Sequence, residues 1–336
     1  MRPRLVFVHG IGGPRQPDRE LKEWLDSLAL GMTDAGHSHA ARELIAGHLC
    51  EPVFAYYGDL FQPPQTQGGG TGQLPEGDAA EIMAALLVEW VDSLAAGHEQ
   101  ADVPPSPPDS DWEAQRRILQ HAQAEASAAQ QTQGSLSVVR RALNVATTLL
   151  ALKPWGGTAQ WITPKLMVRD LAQVSRYLAR AERDDSGTTL DQRIRQRVTA
   201  TLGDGGPAVV VAHSLGTIVA LEVLHELPAA QVPLFITLGS PLAMRTVVWP
   251  RIEPRPPRTP EGLARWLNFW DRDDIIAVRP LLERDIGANT AAVLPKSSRV
   301  DSDGVWVHSA SKYLAQAKVA GRVAECFVEA ADRGPG

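Results

Sequence analysis

The sequence predicts an α/β fold, a mostly parallel, doubly wound sheet of about six strands with a large helical insertion. Three observations lead to this prediction. Short apolar runs recur along the chain, helical patterns separate them, and one long stretch, about Leu60 to Gly206, shows no strand pattern. Continuous apolar runs are typical of parallel strands that are covered on both faces. Their alternation with helices favours an α/β sheet.

Six short apolar or aromatic runs are the predicted strands: Leu5–Val8, Val53–Tyr57, Ala208–Ala212, Leu234–Leu238, Leu267–Trp270 and Val305–Val307. Helical spacing of apolar residues predicts helices between or after them. The helices of the predicted core are Arg19–Gly31, Asp191–Leu202, Thr217–Leu227 and Ser309–Ala331.

The strandless stretch divides the chain into a core, residues 1–60 and 184–336, and an insertion, residues 61–183. The insertion contains helical patterns with apolar stripes, which must be buried against something. We expect a cap or lid over the site, and the alternative is a helical interaction domain to one side. The predicted helices cover Ile82–Leu94, Asp111–Gln131, Leu136–Leu152 and Pro164–Arg183.

Composition excludes several classes of protein. The net charge of −6 does not favour a general nucleic-acid surface. Two cysteines, Cys50 and Cys326, cannot form a disulfide framework, and they lie in no metal-binding pattern. The first apolar run is too short for a signal peptide, and no run is long enough to span a membrane. We therefore expect a cytoplasmic protein that needs no cofactor or metal.

The strongest motif surrounds Ser214. An apolar strand, Val209–Ala212, enters a tight turn and continues at once as a helix. Ser214 stands at the apex, with the small residues Ala212 and Gly216 two positions to either side, where larger side chains would collide with neighbouring elements. This is the layout of a nucleophile elbow, which exposes a serine hydroxyl at a helix N-terminus. The plainer alternative is a serine that only caps the helix.

A second motif follows the first predicted strand, where the chain reads His9-Gly10-Ile11-Gly12-Gly13. Glycines allow a turn to direct backbone N–H groups towards an oxyanion. The turn lacks the Lys-Ser/Thr of a Walker loop and the G-x-G-x-x-G of a dinucleotide site. A purely structural turn is the remaining alternative.

These two motifs, with Thr237-Leu-Gly239-Ser240-Pro241-Leu242, resemble the bacterial lipase and esterase branch of the α/β-hydrolase superfamily. The resemblance covers about residues 4–60 and 190–325. It implies an oxyanion hole formed by the N–H groups of Ile11 and Leu215. His9, Gly10, Gly12, His213 and Gly216 would then support the two turns. The sequence departs from the family pattern at Ala212, where glycine is usual.

The family order of catalytic residues is serine, acid, histidine. His308 is the histidine that follows the acidic segment, and it comes directly after a predicted strand. The acid lies in Asn268-Phe-Trp-Asp271-Arg-Asp273-Asp274-Ile-Ile-Ala277, which resembles a family segment ending in Asp-Pro-Val-Ala. That register selects Asp274. Asp273 is the second candidate and Asp271 the third.

Together the motifs predict a serine hydrolase that cleaves an ester or thioester through an acyl-enzyme on Ser214, with a Ser-Asp-His triad. The expected partner is a small-molecule or lipid-like acyl substrate. The insertion is a candidate for transient contact with a membrane surface, and no particular oligomeric state is predicted. An acyltransferase or an amidase or peptidase would use the same triad. A non-catalytic binding module is the alternative from a different class.

Overall fold

The computed structural model describes residues 3–10, 16–62, 75–99 (side chains to 89), 164–203 (side chains from 170), 206–227, 231–271, 274, 276–277, 281–302 and 308–332. Six strands in these ranges form one sheet in which every pairing is parallel. The strands are β1 Arg4–Val8, β2 Glu51–Ala55, β3 Ala208–His213, β4 Leu234–Leu238, β5 Trp266–Asp271 and β6 Pro295–Val300.

The order of the strands across the sheet is β2-β1-β3-β4-β5-β6. From β1 the chain moves outwards to β2, and it then returns to the other side of β1 to place β3 and the strands after it. The order therefore reverses between β1 and β3. In open α/β sheets, a crevice forms at such a reversal, outside the carboxyl ends of the strands.

The described helices are α1 Pro17–Asp34, α2 Ser38–Ile45, α3 Gly77–Glu99, α4 Pro164–Ala179, α5 Leu190–Leu202, α6 Leu215–Glu226, α7 Ala310–Leu314 and α8 Ala317–Asp332. Short 3₁₀ helices occupy Gly58–Phe61, Pro241–Ala243, Trp249–Arg251 and Leu282–Arg284. Of these described helices, none is both long enough and apolar enough to cross a membrane.

Two hydrophobic clusters cover the two faces of the sheet. Alternate residues of β1 point to opposite sides, because successive side chains of a strand do so. Val6 and Val8 join a cluster with α3, α4, α5 and α6, whereas Leu5 and Phe7 join a second cluster with α1, α2, α7 and α8. The predicted α/β architecture, a parallel sheet of six strands with helices on both faces, is confirmed.

Five of the predicted strands overlap observed ones, and the sixth observed strand was not predicted. That strand is β6, Pro295–Val300, in which only the first and last residues are buried. Among the described strands it pairs with β5 alone, so it is an edge strand. An edge strand is less covered by other elements and can contain more polar residues. The predicted strand Val305–Val307 lies outside the described residues.

Helix predictions were correct for the central part of most helices and less so for their ends. The predicted helix Ser309–Ala331 is two helices, because Ala315 and Gln316 separate α7 from α8. The predicted helix Pro164–Arg183 ends at Ala179, and Arg180 takes the left-handed conformation with φ 52°. The helix α2 was not predicted. Asp111–Gln131 and Leu136–Leu152 lie outside the described residues.

The described parts of residues 61–183 pack with the core rather than apart from it. Leu86 of α3 and Leu171 and Leu178 of α4 are buried in the same cluster as Val8 and Leu215. The Glu89 carboxylate accepts hydrogen bonds from the backbone N–H groups of Thr246 (3.2 Å) and Val247 (3.1 Å). These helices therefore belong to the layer that covers one face of the sheet.

Candidate active site

The two glycine-containing turns of the sequence meet at the reversal of strand order. Gly10 follows β1 and Ser214 follows β3, and these two strands are direct neighbours in the sheet. A Cβ atom on Gly10 would lie 2.5 Å from the Ser214 Cβ and 3.2 Å from its hydroxyl oxygen. A side chain at position 10 would collide with Ser214, so the close approach of the two turns requires glycine there.

Ser214 has the strained backbone of an elbow. Its φ of 54° and ψ of −128° lie in a region that residues other than glycine seldom adopt. Such a conformation costs on the order of 1–3 kcal/mol and persists only where the surroundings impose it. The N–H of Ser214 donates to the Leu238 carbonyl (3.0 Å), and its own carbonyl accepts from Thr217 N–H (3.0 Å) and Thr217 Oγ1 (2.7 Å).

The elbow needs a residue without a side chain at position 216, as the sequence predicts. A Cβ atom there would come within 2.3 Å of the His9 carbonyl oxygen and 2.5 Å of that of Val8. The helix α6 therefore starts directly against the end of β1. Ala212, on the other side of the serine, is fully buried in the same cluster as Val8.

His308 links Ser214 to Asp274. Its Nε2 atom lies 2.9 Å from Ser214 Oγ, and its Nδ1 atom lies 2.9 Å from each carboxylate oxygen of Asp274. Since Asp274 is an acceptor, Nδ1 carries the proton and Nε2 is free to accept the serine proton. The structure thus brings together the three residues that the sequence singled out for the triad.

The structure also separates the candidate acids. Asp271 is buried, but its carboxylate accepts hydrogen bonds from the N–H (2.7 Å) and hydroxyl of Ser302. It therefore holds the segment that follows β6. Asp273 lies outside the described residues. Asp274 is the described aspartate in contact with His308.

Asp274 is buried and has two further donors. Tyr313 donates its hydroxyl to Oδ2 (2.7 Å), and the N–H of Ile276 donates to Oδ1 (3.0 Å). Burial raises the pKa of the Asp274 carboxyl, but the His308 charge and the hydrogen bonds from His308, Tyr313 and Ile276 outweigh it. The net result is a pKa below the ordinary value, so the carboxylate stays ionised.

The pKa of His308 is raised above its ordinary value of 6.5. Burial lowers this pKa, but the charge of Asp274 and its hydrogen bond, together with the charge of Asp170 on α4, raise it more. The ring therefore accepts a proton more readily than a free imidazole does, which suits a general base. Its side chain is 14% exposed, so a substrate could reach it from one side.

Leu215 and Ile11 are the predicted oxyanion-hole residues. Leu215 is the first residue of α6, and an N–H at that position has no acceptor within its helix. The helix dipole also favours negative charge at this end. Ile11 and Gly12 lie outside the described residues, and the oxyanion hole as a whole stays a prediction.

The two histidines beside the turns have positions that explain why they were singled out. His9 Nε2 accepts from the Tyr57 N–H (3.0 Å), so Nδ1 carries the proton that it donates to the Gly10 carbonyl (2.6 Å). Its ring stacks on that of Tyr57, 4.1 Å between centroids. His213 packs beside the His308 ring, 4.6 Å between centroids. His9 therefore links the turn after β1 to Tyr57, and His213 lies beside the ring of His308.

Sequence reasoning missed Tyr313 and Asp170, which also act on the triad. Tyr313 follows His308 by five residues and lies in the short helix α7, where a buried tyrosine gives no distinctive pattern. Asp170 falls in the predicted insertion and was not connected with His308. Only the folded arrangement brings either residue to the site.

The described residues contain no group of three or more His, Cys, Asp or Glu side chains arranged to hold a metal ion. Cys50 and Cys326 are buried thiols, and burial raises the pKa of Cys50 to about 12. The described site brings together a hydroxyl, an imidazole and a carboxylate.

Comparison with protein-family models, with curated proteins and with solved structures finds no match to this chain.

Proposed function

We propose that the protein is a serine hydrolase of the α/β-hydrolase type. The observation that carries this proposal is the continuous hydrogen-bond chain from Ser214 Oγ through His308 to Asp274, with 2.9 Å at each link. The strained serine backbone and the position at the reversal of strand order support it. A serine that only capped a helix would need neither the buried aspartate nor the oriented imidazole.

The specific reaction that we propose is hydrolysis of an ester or thioester. His308 takes the proton of the Ser214 hydroxyl, and the serine oxygen attacks the substrate carbonyl. The Leu215 N–H, with that of Ile11, stabilises the tetrahedral oxyanion. His308 then protonates the leaving alcohol or thiol as its bond to the acyl carbon breaks. Water that gives a proton to His308 attacks the acyl-enzyme, and His308 returns this proton to Ser214 Oγ as the acyl–serine bond breaks and the acid leaves. Asp274 stays ionised throughout and stabilises the imidazolium.

A fluorophosphonate probe tests this proposal directly, because it reacts covalently with an activated serine. We expect stoichiometric labelling of the wild-type protein, loss of labelling in Ser214→Ala, and strong slowing in His308→Gln. Ser186→Ala, which removes an exposed hydroxyl bonded to Asp184, serves as the matched control and should keep the labelling. Absence of labelling in the folded wild-type protein would favour a non-catalytic binding module.

Acyl transfer and amide cleavage use the same residues, so the substrate must distinguish them. A panel of matched p-nitrophenyl esters, thioesters and anilides, each with and without an added alcohol or amine acceptor, separates the three reactions. We expect acid and free alcohol or thiol as products. Acyl product on the acceptor in excess of hydrolysis would favour an acyltransferase.

We also propose that the insertion, residues 61–183, contributes a cap over the site that selects the acyl group. The supporting observation is that Asp170 of α4 acts electrostatically on His308 while Leu171 packs in the same cluster as Leu215. Because α3 and α4 are part of the core layer, they must be kept in any test. Replacing residues 101–160 with a short linker should change the preferred acyl-chain length and leave the labelling of Ser214 unchanged. Unchanged chain-length preference would contradict the cap.

A further inference from the structure

Tyr313 is buried directly behind the Asp274–His308 pair. Its hydroxyl oxygen accepts a hydrogen bond from the backbone N–H of Asp271 (3.0 Å) and lies 2.7 Å from Asp274 Oδ2. A backbone amide can only donate, so the single hydroxyl proton of Tyr313 must point to the carboxylate. The geometry therefore fixes the direction of this bond as well as its length.

We propose that Tyr313 is a positioning residue that competes with His308 for the Asp274 carboxylate and thereby keeps the imidazole available as a base. The inference deepens the proposed function and rests on it. Tyr313 acts through Asp274, since its hydroxyl contacts the carboxylate and the Asp271 backbone.

The competition follows from how the carboxylate shares its charge. Asp274 accepts bonds from His308 Nδ1, Tyr313 and the Ile276 N–H, and it is shielded from water. When His308 is neutral, the full negative charge of Asp274 faces the tyrosine hydroxyl, and that bond is strong. When His308 is protonated, the imidazolium neutralises much of that charge and the bond weakens. Tyr313 therefore stabilises the neutral-histidine state more than the protonated one.

The other carboxylates that act on His308 do so in the opposite direction. Asp274, after β5, and Asp170, on α4, both favour the imidazolium. The His213 ring, at the end of β3, packs 4.6 Å from that of His308 and 6.3 Å from that of Tyr313. Burial and then the charge of Asp274 raise the pKa of Tyr313 well above its ordinary value, so its hydroxyl remains a donor.

A structural anchor would be the plainer role for this tyrosine, because it ties α7 to the end of β5. Tyr177 provides the matched control for that alternative. It is also fully buried, and its hydroxyl also donates to a buried carboxylate, that of Glu222 on α6, which does not contact His308. Tyr177→Phe should disturb packing to a similar extent and leave the triad unaffected.

The test is an NMR titration of the His308 ring in the wild-type protein, Tyr313→Phe and Tyr177→Phe. We expect Tyr313→Phe to raise the pKa of His308 by about half a unit to one unit. This change corresponds to part of the free energy of a charge-assisted hydrogen bond, because the bond is weakened rather than lost when His308 is protonated. Tyr177→Phe should cause no shift. An unchanged or lowered value in folded Tyr313→Phe would overturn the inference.

A second substitution at the same position keeps the test decisive if Tyr313→Phe does not fold. Incorporation of 3-fluorotyrosine at position 313 preserves the shape and makes the hydroxyl a stronger donor. The pKa of His308 should then fall. A value that rises or does not move would contradict the proposed competition.

Failure of the inference and failure of the proposed function give different results. The titration needs no turnover, so it reports on Tyr313 even if no ester is cleaved. If the protein is a hydrolase, the acid limb of kcat/KM should move upwards with Tyr313→Phe in step with the NMR value. If Tyr313→Phe hydrolyses the ester and the acid limb of its kcat/KM is unchanged, the role of Tyr313 is rejected and the proposed serine hydrolase is not.

Discussion

Near each end of α6, a buried carboxylate accepts a hydrogen bond from a buried tyrosine. The two carboxylates differ in the charged groups that surround them. At the N-terminal end, beside Ser214, the buried Asp274 accepts a hydrogen bond from buried Tyr313. Near the C-terminal end, the buried Glu222 accepts one from buried Tyr177. In both places a tyrosine hydroxyl satisfies a carboxylate that water does not reach.

The difference lies in the cation that faces each carboxylate. Glu222 pairs with the guanidinium of Arg180, and Arg195 bonds the adjacent Asp191 at 2.7 Å. Asp274 instead faces His308. A guanidinium keeps its proton at any ordinary pH, whereas an imidazole exchanges its own near neutrality. The first arrangement can only hold helices together, and the second can move a proton.

The largest expected effect comes from removing the charge of the carboxylate at the site. Asp274→Asn should lower the rate of ester hydrolysis on the order of 10⁴-fold, because His308 would lose the partner that sets its tautomer. Steady-state kinetics on an activated ester measures this. Asp271→Asn is the control, since that carboxylate binds Ser302 rather than His308. Equal losses in the two variants would mean that Asp274 has no special role.

At the other end of α6, the equivalent change should affect stability rather than chemistry. Glu222→Gln removes the charge that faces Arg180 and should lower the free energy of unfolding by about 1–3 kcal/mol, less than for a fully buried pair because the Arg180 side chain is 30% exposed. Urea denaturation measures this loss. The acid limb of kcat/KM in the folded variant should be that of the wild type. A shifted limb would show that the two ends of α6 are coupled.

The pH dependence gives the smallest and most specific effect. Because the pKa of His308 is raised above 6.5, the acid limb of kcat/KM should have its midpoint above pH 6.5. Below that midpoint, activity should fall about tenfold per pH unit. A pH–rate profile on an activated ester measures the midpoint. A midpoint below pH 6.5 would contradict the pairing of His308 with Asp274.

The contribution of His308 to the free energy of unfolding should fall over the pH interval in which activity rises. A group whose pKa is raised on folding stabilises the native state below its unfolded pKa, and this contribution is lost as pH rises through the folded pKa. The contribution of His308 to stability should therefore decline over the interval in which activity rises. Urea denaturation of the wild-type protein and His308→Gln at pH 6 and pH 8 isolates it. An equal difference between the two proteins at both pH values would contradict this expectation.

The sequence predicted the parts of the site that depend on local patterns. Ser214 was identified by a strand, a tight turn and a helix in succession, and His308 by its order after the acidic segment. Asp274 was chosen over Asp273 and Asp271 on a motif register. The described contacts place Asp274 against His308 and Asp271 against Ser302.

The parts that the sequence did not predict depend on contacts between distant elements. Tyr313 reaches Asp274 across 39 positions of the chain, and no local periodicity reports such a contact. The four central residues of β6 are polar or charged, so no apolar run marks this strand in the sequence. The cap stays a prediction, since most of its length falls outside the described residues.

The polar residues of β6 affect whether two copies of the protein can associate through the edges of their sheets. Among the described strands, β2 and β6 form the two edges of the sheet. Each contains a proline, Pro52 or Pro295, and a charged residue such as Glu51 or Arg299. Proline lacks the N–H that an added strand would need, and charge disfavours a flat contact between edges. The four strands between them are rich in Val, Leu and Phe, yet the edges discourage a second sheet from pairing with the first and starting an aggregate.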